Sequence, residues 1–432
     1  MSRTRGPGPP HLAGARHVAL ALALALLASA GPLSGSPAPD APVPPSDNEA
    51  ISESGEDISY LLQRSTAVRA LVGGDRPAAP RQAWSTAKAR VEAATGIAFG
   101  ADFSFLAQGA SETESGATSG GSLDMNLFGR WHFWPQQAWW RGMLVASFDT
   151  RVEVGETVPG DLGKEIGSIL GTAYGFNRQP PTVNNVYVQL GSREHSAMFR
   201  VGRFDPRHVI STSRWGSPKL DFVAPGILYP QAIAYPTYSL VAALRIQPAR
   251  RLHMIAMVSD NNQDVSSFGN PFEGQYFAAV EAGFASERDD RFQGRHSLTA
   301  WQTSARPEAG ITESWGVALK LEQEVTLVPG LSLMTRLALS EGNAAKYRDQ
   351  AVFYAMVPGL ARIDGDLAGL AVGLASPVSA PEKQETLVEA FWRLPLLPGL
   401  EASLDGQLIF NPAESSLDGP VAVLGLRLRS VF

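Results

Sequence analysis

The stretch VAVLGLRLRSVF, residues 421–432, decides the fold. Ala422, Leu424, Leu426, Leu428 and Phe432 fall on one parity, Arg427 and Arg429 on the other. A period of two marks a strand, because successive side chains leave a pleated backbone on opposite faces. One face here is greasy, and the chain ends on it at Phe432. A soluble sandwich also alternates, but it buries its greasy face beneath a second layer. A strand that is apolar on one side and cationic on the other fits a sheet whose outer face meets hydrocarbon.

The same alternation runs upstream. Ile97, Phe99, Ala101, Phe103 and Phe105 alternate with Ala98, Gly100, Asp102 and Ser104. Leu123, Met125, Leu127, Trp131 and Phe133 alternate with Asp124, Asn126, Arg130 and His132, and Leu144, Ala146, Phe148 and Val152 with Ser147, Asp149, Arg151 and Glu153. The connections alternate in length. A polar loop at 110–120 is followed by a tight turn at 135–140, a long loop at 155–181, a short turn at 192–195 and a long loop at 206–236. Further short links fall at 248–250, 286–291, 328–330 and 396–399. Long loops at one end and short turns at the other describe an antiparallel barrel with both termini on the short-turn side.

Beyond the first five strands, others are expected near 237–247, 251–260, 273–285, 292–304, 313–326, 331–341, 350–357, 366–376, 385–395, 399–411 and 419–432, sixteen in all. The segment at 350–357 has the weakest pattern. An even number lets the first and last strands meet. Closure is compulsory, since each backbone group left on an open edge in hydrocarbon costs several kcal/mol. The sequence thus predicts an all-β chain, a closed antiparallel transmembrane β-barrel of about sixteen strands over 95–432, preceded by a short N-terminal helical segment. Trp131, Phe133, Trp134, Trp139 and Trp140, gathered at one tight turn, suit an aromatic girdle at the periplasmic rim.

Composition agrees. Charged residues make up 18% of the chain, below the usual share of roughly 25%. Hydrophobic residues reach 44%, yet mean hydropathy is only -0.05, as expected when apolar residues are dispersed by alternation. Beyond the N-terminal leader no stretch supplies the ~20 apolar residues of a membrane helix; the best, 367–378, is broken by Gly369, Gly373 and Pro377. There is no cysteine, which excludes disulfides, thiolate metal sites and cysteine nucleophiles. The net charge is -6, and without a leader that carries Arg3, Arg5 and Arg16 and no acid it falls to -9. A nucleic-acid binder would carry the opposite sign.

Arg16 and His17 precede an apolar run at 18–27, and Ala28-Ser29-Ala30 offers a small-residue cleavage site. Residues 1–30 therefore read as an export signal, too short to span a bilayer. Residues 31–54, with Pro37, Pro39, Pro42, Pro44 and Pro45, read as a disordered linker. Residues 55–94 read as a periplasmic helical segment. Ile58, Leu61, Leu62, Val68, Leu71 and Val72 recur at helical spacing, Ser54 with Asp57 resembles a capping box, and Gly73-Gly74 stops the helix. A second short helix is expected at 82–94. This segment could trimerise, plug the barrel from below or pack on its rim.

Several stretches resemble the carbohydrate-selective porins of the OprB type. They are Gln384-Glu385-Thr386 with Val388-Glu389-Ala390-Phe391, then Gln407-Leu408-Ile409-Phe410-Asn411-Pro412-Ala413, and Gly425-Leu426-Arg427-Leu428-Arg429 with the final Phe432. Upstream, Phe199-Arg200-Val201-Gly202-Arg203-Phe204-Asp205 looks like the family's fifth-strand signature, and Arg362-Ile363-Asp364-Gly365-Asp366 like its turn before a late strand. The tryptophan–glycine–glycine motif usual in the family's N-terminal segment is missing. The resemblance implies a sixteen-stranded outer-membrane barrel, trimeric, that admits sugars down their gradient. Phe432 resembles the signal read by the barrel-insertion machinery. Partners are then outer-membrane lipids and small sugars.

A pore performs no reaction; it replaces part of a solute's hydration with polar side chains at a waist. Parity turns Asp149, Arg151, Arg200, Lys320, Glu322, Arg336, Glu389, Arg393, Asp405, Gln407 and Arg427 inward as candidates for solute contact, or as mutual pairs that stiffen the wall. The waist could come from 155–181, rich in glycine around Ile166, Ile169 and Leu170, or from 206–236, whose Trp215, Phe222, Tyr229 and Tyr235 suit either sugar stacking or packing against a neighbouring subunit. No cofactor, metal or catalytic site is expected. Asp260, Asn262 and Asp264 begin a calcium-loop spacing, but Val265 stands where glycine is needed and Pro271 where the closing acid belongs. The alternatives are a barrel lipase or esterase, with His132 inward beside Asp124, and a plugged structural barrel.

Overall fold

A computed structural model describes residues 71, 79–134, 139–192, 196–261, 274–286, 292–361, 363, 365–397, 399–417 and 419–432. The export signal, the linker, the helix expected at 55–73 (Leu71 apart) and most of the calcium-like loop lie outside them.

Sixteen strands form one closed antiparallel barrel in which each pairs with the next and the last with the first. They are β1 (Ile97–Ala110), β2 (Ser119–His132), β3 (Trp140–Glu153), β4 (Gln179–Ser192), β5 (Ala197–Phe204), β6 (Ser239–Ala249), β7 (Leu252–Asp260), β8 (Tyr276–Ala285), β9 (Gly294–Thr303), β10 (Ser314–Glu324), β11 (Ser332–Glu341), β12 (Tyr347–Pro358), β13 (Leu367–Pro377), β14 (Glu385–Leu397), β15 (Leu400–Phe410) and β16 (Val421–Val431). A helix, α1 (Ala79–Thr95), runs into β1. No helix among the described residues is long and apolar enough to cross a membrane. The span is made by strands of alternating face: Leu404, Leu408, Leu424 and Leu426 stand exposed outside, while Asp405, Gln407, Arg427 and Arg429 are buried inside.

The seam joins β1 to β16, Phe105 facing Leu428 and Asp102 facing Val431. Phe432 exchanges two backbone hydrogen bonds with Ala101 (2.8 and 3.0 Å), and its ring meets Phe103 edge-on at 5.9 Å. Inside, Arg429 donates to Asp102 across the same seam at 2.7 Å. Both groups are buried, so the ion pair ties the two strands across the seam from inside.

The weakly patterned segment at 350–357 is a full strand. Its alternation is blurred because both faces are apolar. Ala351, Phe353 and Val357 turn outward, and Val352, Tyr354 and Met356 are buried inside.

That inner apolar face exists because the lumen is occupied. The connections 154–178 and 205–238 both fold into the barrel, so the two rival sources of the waist, 155–181 and 206–236, both enter it. The first also contains a helix, α2 (Pro159–Ile166), within the span expected to be loop; the second contains a single turn, α3 (Pro225–Leu228). Leu162, Ile166, Ile169 and Leu170 from the first and Phe222, Ile227 and Leu228 from the second are buried against inward-facing Phe128, Met143, Met334, Tyr354 and Phe391. The aromatics of 206–236 thus pack within the barrel, not against a neighbour. The loops meet where Gly226 N–H donates to Leu170 C=O (3.0 Å). A Cβ on Gly226 would lie 2.4 Å from the Leu170 side chain, so only glycine permits this approach.

Candidate functional site

A chain folded into a barrel leaves main-chain groups with no ladder to join, and buried ones need partners. Strand side chains supply them. On β14, inward positions four apart serve both loops. Glu385 accepts from the N–H groups of Ile169 (2.9 Å), Leu170 (3.0 Å) and Ala413 (2.9 Å). Glu389 accepts from Val223 (2.5 Å) and Ala224 (3.2 Å). Arg393 donates to Leu220 C=O (2.9 Å).

Neighbouring strands continue the pattern. Arg336 donates to the carbonyls of Ile227 and Leu228, both at 3.1 Å. Gln350 donates to Gly226 C=O (2.6 Å), and Arg427 to the carbonyls of Pro218 and Asp221. Lys320 donates to Thr212 C=O. Glu322 accepts from Ser213 (2.8 Å) and Glu281 from Ser211 N–H (2.6 Å). Gln108 and Gln407 both donate to Thr172 C=O, at 3.1 and 2.8 Å.

On the β1–β5 side charges pair with each other. Arg151 bridges Asp124 (2.8 Å) and Asp149 (2.5 Å), and Lys219 of the second loop reaches Asp124 at 2.6 Å. Arg200 donates to Gln189 at 2.8 and 3.0 Å and lies over the Tyr187 ring, 4.2 Å from its centroid.

The loops do not bury everything. Arg151 and Arg207 keep 11% and 16% of their side chains exposed, and Tyr174, Trp215, Tyr235 and Tyr238 are also part-exposed. Arg207 forms an ion pair with Asp205 (2.7 Å) and spreads over the ring of Tyr174 at 4.7 Å. The Tyr174 hydroxyl donates to Asp205 at 3.2 Å. Tyr174 and Tyr229 meet edge-to-face at 5.0 Å. Burial pushes the Asp205 carboxyl up, but Arg207 and His208 outweigh it and hold it below its ordinary value. Tyr238 lies within electrostatic reach of Asp205, Arg151, Asp149 and Arg207. Flat ring faces beside fixed donors and acceptors suit a hydroxyl-rich solute with apolar ring faces. No cluster of three or more metal-binding side chains occurs among the described residues.

The family model of the carbohydrate-selective porin, OprB family, matches residues 199–432. The chain belongs to this family. The barrel is similar to the high-pH structure of Pseudomonas putida OprB, at 13% identity and a TM-score of 0.66, over 81% of this chain and 97% of that one. The low-pH structure of Pseudomonas putida OprB gives 11% identity and a TM-score of 0.54, over 84% and 99%. At such identities the likeness shows the fold alone. No curated protein matches the chain in sequence. The family and the barrel place this porin in a bacterial outer membrane as a channel for passive diffusion of small hydrophilic solutes, carbohydrates in particular.

In this porin every residue singled out by parity projects into the lumen. Asp149, Arg200, Lys320, Glu322, Arg336, Glu389, Arg393, Asp405, Gln407 and Arg427 are buried, and most bond to the inserted loops or to a neighbouring wall residue; Arg151 alone is part-exposed. Parity gives the face of a strand and not what covers it. The expected pairing of His132 with Asp124 is absent: they stand eight residues apart on β2, about 26 Å at ~3.3 Å per residue, and Asp124 is taken by Arg151 and Lys219. Tyr174, Arg207 and Tyr238 were not singled out in the sequence. The one signal for Arg207 is its position just after the family-like run ending at Asp205.

Proposed function

We propose that this porin passes small sugars through the part-open space lined by Arg151, Tyr174, Arg207, Tyr235 and Tyr238, while the sealed residues set its width by fixing the loops. The observation that carries this reading is the Asp205–Arg207–Tyr174 group, charged and aromatic, kept partly in solvent where the surrounding lumen is packed. Glu389, Arg393, Arg427, Lys320 and Arg336 act as wall-to-loop clamps. Arg200 stiffens the β4–β5 wall. The protein works as a channel and not as a catalyst, with residues 1–30 as its export signal, 31–54 as a linker and 55–94 as a periplasmic segment. It assembles as a homotrimer, and Phe432 is read by the barrel-insertion machinery.

Liposome swelling tests this. Vesicles holding the protein should swell in isosmotic monosaccharide and swell more slowly as the sugar lengthens. Arg207→Ala should change the ranking among sugars while leaving the barrel folded. Equal rates for the wild type and this variant with every sugar would remove Arg207 from the path.

A further inference from the structure

The helix before the barrel meets its lipid side at Trp84. Ala98 and Gly100 face the lumen, so Phe99 between them faces outward, and the Trp84 ring of α1 meets Phe99 edge-on at 5.9 Å. Glu92, one turn before the strand, pairs at 3.2 Å with Arg130, which the parity of β2 turns inward, so this end of the helix is held at the mouth of the barrel. Trp84 and Val91 are seven residues apart, hence about 20° apart around a helix of 3.6 residues per turn. Both remain exposed, at 43% and 38%. Gln82, Thr86, Ala89 and Ala93 take the far side and are exposed.

A further observation identifies what covers this face. The barrel's exposed aromatics Trp131, Phe133, Trp134, Trp139 and Trp140 stand on β2, β3 and their connection, and Ile97, at the helix's end of β1, pairs with Trp131. The apolar face of α1 is therefore continuous with the aromatic belt that meets the membrane boundary.

We propose that α1 lies in the periplasmic leaflet as an interfacial anchor, with Trp84 and Val91 in the phospholipid acyl–headgroup boundary and the Ala89–Ala93 side in water. It neither enters the lumen nor joins subunits.

The chain has no cysteine, so single-cysteine spin labels report without background. Val91→Cys and, separately, Ala93→Cys would be labelled with a nitroxide in full-length protein reconstituted into phosphatidylethanolamine–phosphatidylglycerol vesicles. Collision with oxygen, which concentrates in lipid, is compared with collision with a water-soluble nickel chelate. The proposal expects an oxygen-to-nickel ratio several-fold higher at 91 than at 93. It also expects Trp84→Ala to lower the ratio at 91 while unheated gel mobility shows an intact barrel. A higher nickel than oxygen collision rate at 91 would overturn it and leave the helix in water. Exclusion of both reagents, with spin–spin broadening that fades when labelled and unlabelled protein are mixed, would overturn it in favour of a second copy.

Discussion

At the scale of single residues, a few buried carboxylates and guanidinium groups decide how open the lumen is. Glu389 illustrates the reason. Its carboxylate is the acceptor for the N–H groups of Val223 and Ala224, and leaving a buried donor unsatisfied costs roughly 1–3 kcal/mol. Glu389→Ala should therefore loosen the second loop without unfolding the barrel, which single-channel recording would register as larger and noisier openings. Unchanged openings would mean that the loop is secured elsewhere. A surface carboxylate gives the pH dependence. Glu114 accepts from Ser416 N–H and from the hydroxyls of Ser415 and Ser416, and these bonds hold it below its ordinary value of 4.5. A depressed carboxylate stabilises above the ordinary value and loses that contribution as pH falls through its own lower one. The tie between the 111–118 and 411–420 loops should thus persist at pH 6 and part only as the pH falls through the lowered value of Glu114. Glu114→Gln should part it at every pH, as followed by protease nicking of the last loop.

At the scale of elements, the two inserted loops behave as one unit because they touch at Gly226 and share the β14 rail. Gly226→Val would drive a side chain into Leu170, and overpacking of this kind costs about 1–3 kcal/mol. The expected result is new trypsin cleavage at Arg207, Arg214 or Lys219 in a barrel that stays folded; trypsin resistance equal to the wild type would show that the contact is dispensable. The strands themselves were legible in the sequence, since a lipid face admits only apolar residues and a two-residue period then exposes the pattern. β12 was faint because its inner face, Val352, Tyr354 and Met356, is apolar too, packed on the loops. The inward direction of Arg336 or Arg427 could be read from parity, but their loop partners could not, because more than a hundred residues separate Arg336 from Ile227. Tyr174 and Arg207 were hidden for the same reason: their proximity belongs to loops with no period.

At the scale of the whole molecule, closure answers the lack of water partners for backbone in hydrocarbon, and filling narrows the lumen that closure encloses. Closure depends on a buried ion pair at the seam. Asp102→Ala would leave Arg429 without its closest acceptor, and breaking a buried pair from one side costs about 3–5 kcal/mol. The folded band in unheated gel electrophoresis should weaken and melt at lower temperature; an unshifted band would locate the strength of the seam in its backbone ladder alone. Filling narrows the lumen without abolishing it, and that is the central claim. The most direct test is planar-bilayer conductance of the refolded protein in salt, with and without added glucose. The account predicts stepwise ohmic openings whose conductance falls as glucose enters. Correctly folded protein that inserts but passes no current would contradict it and make the two loops a permanent plug.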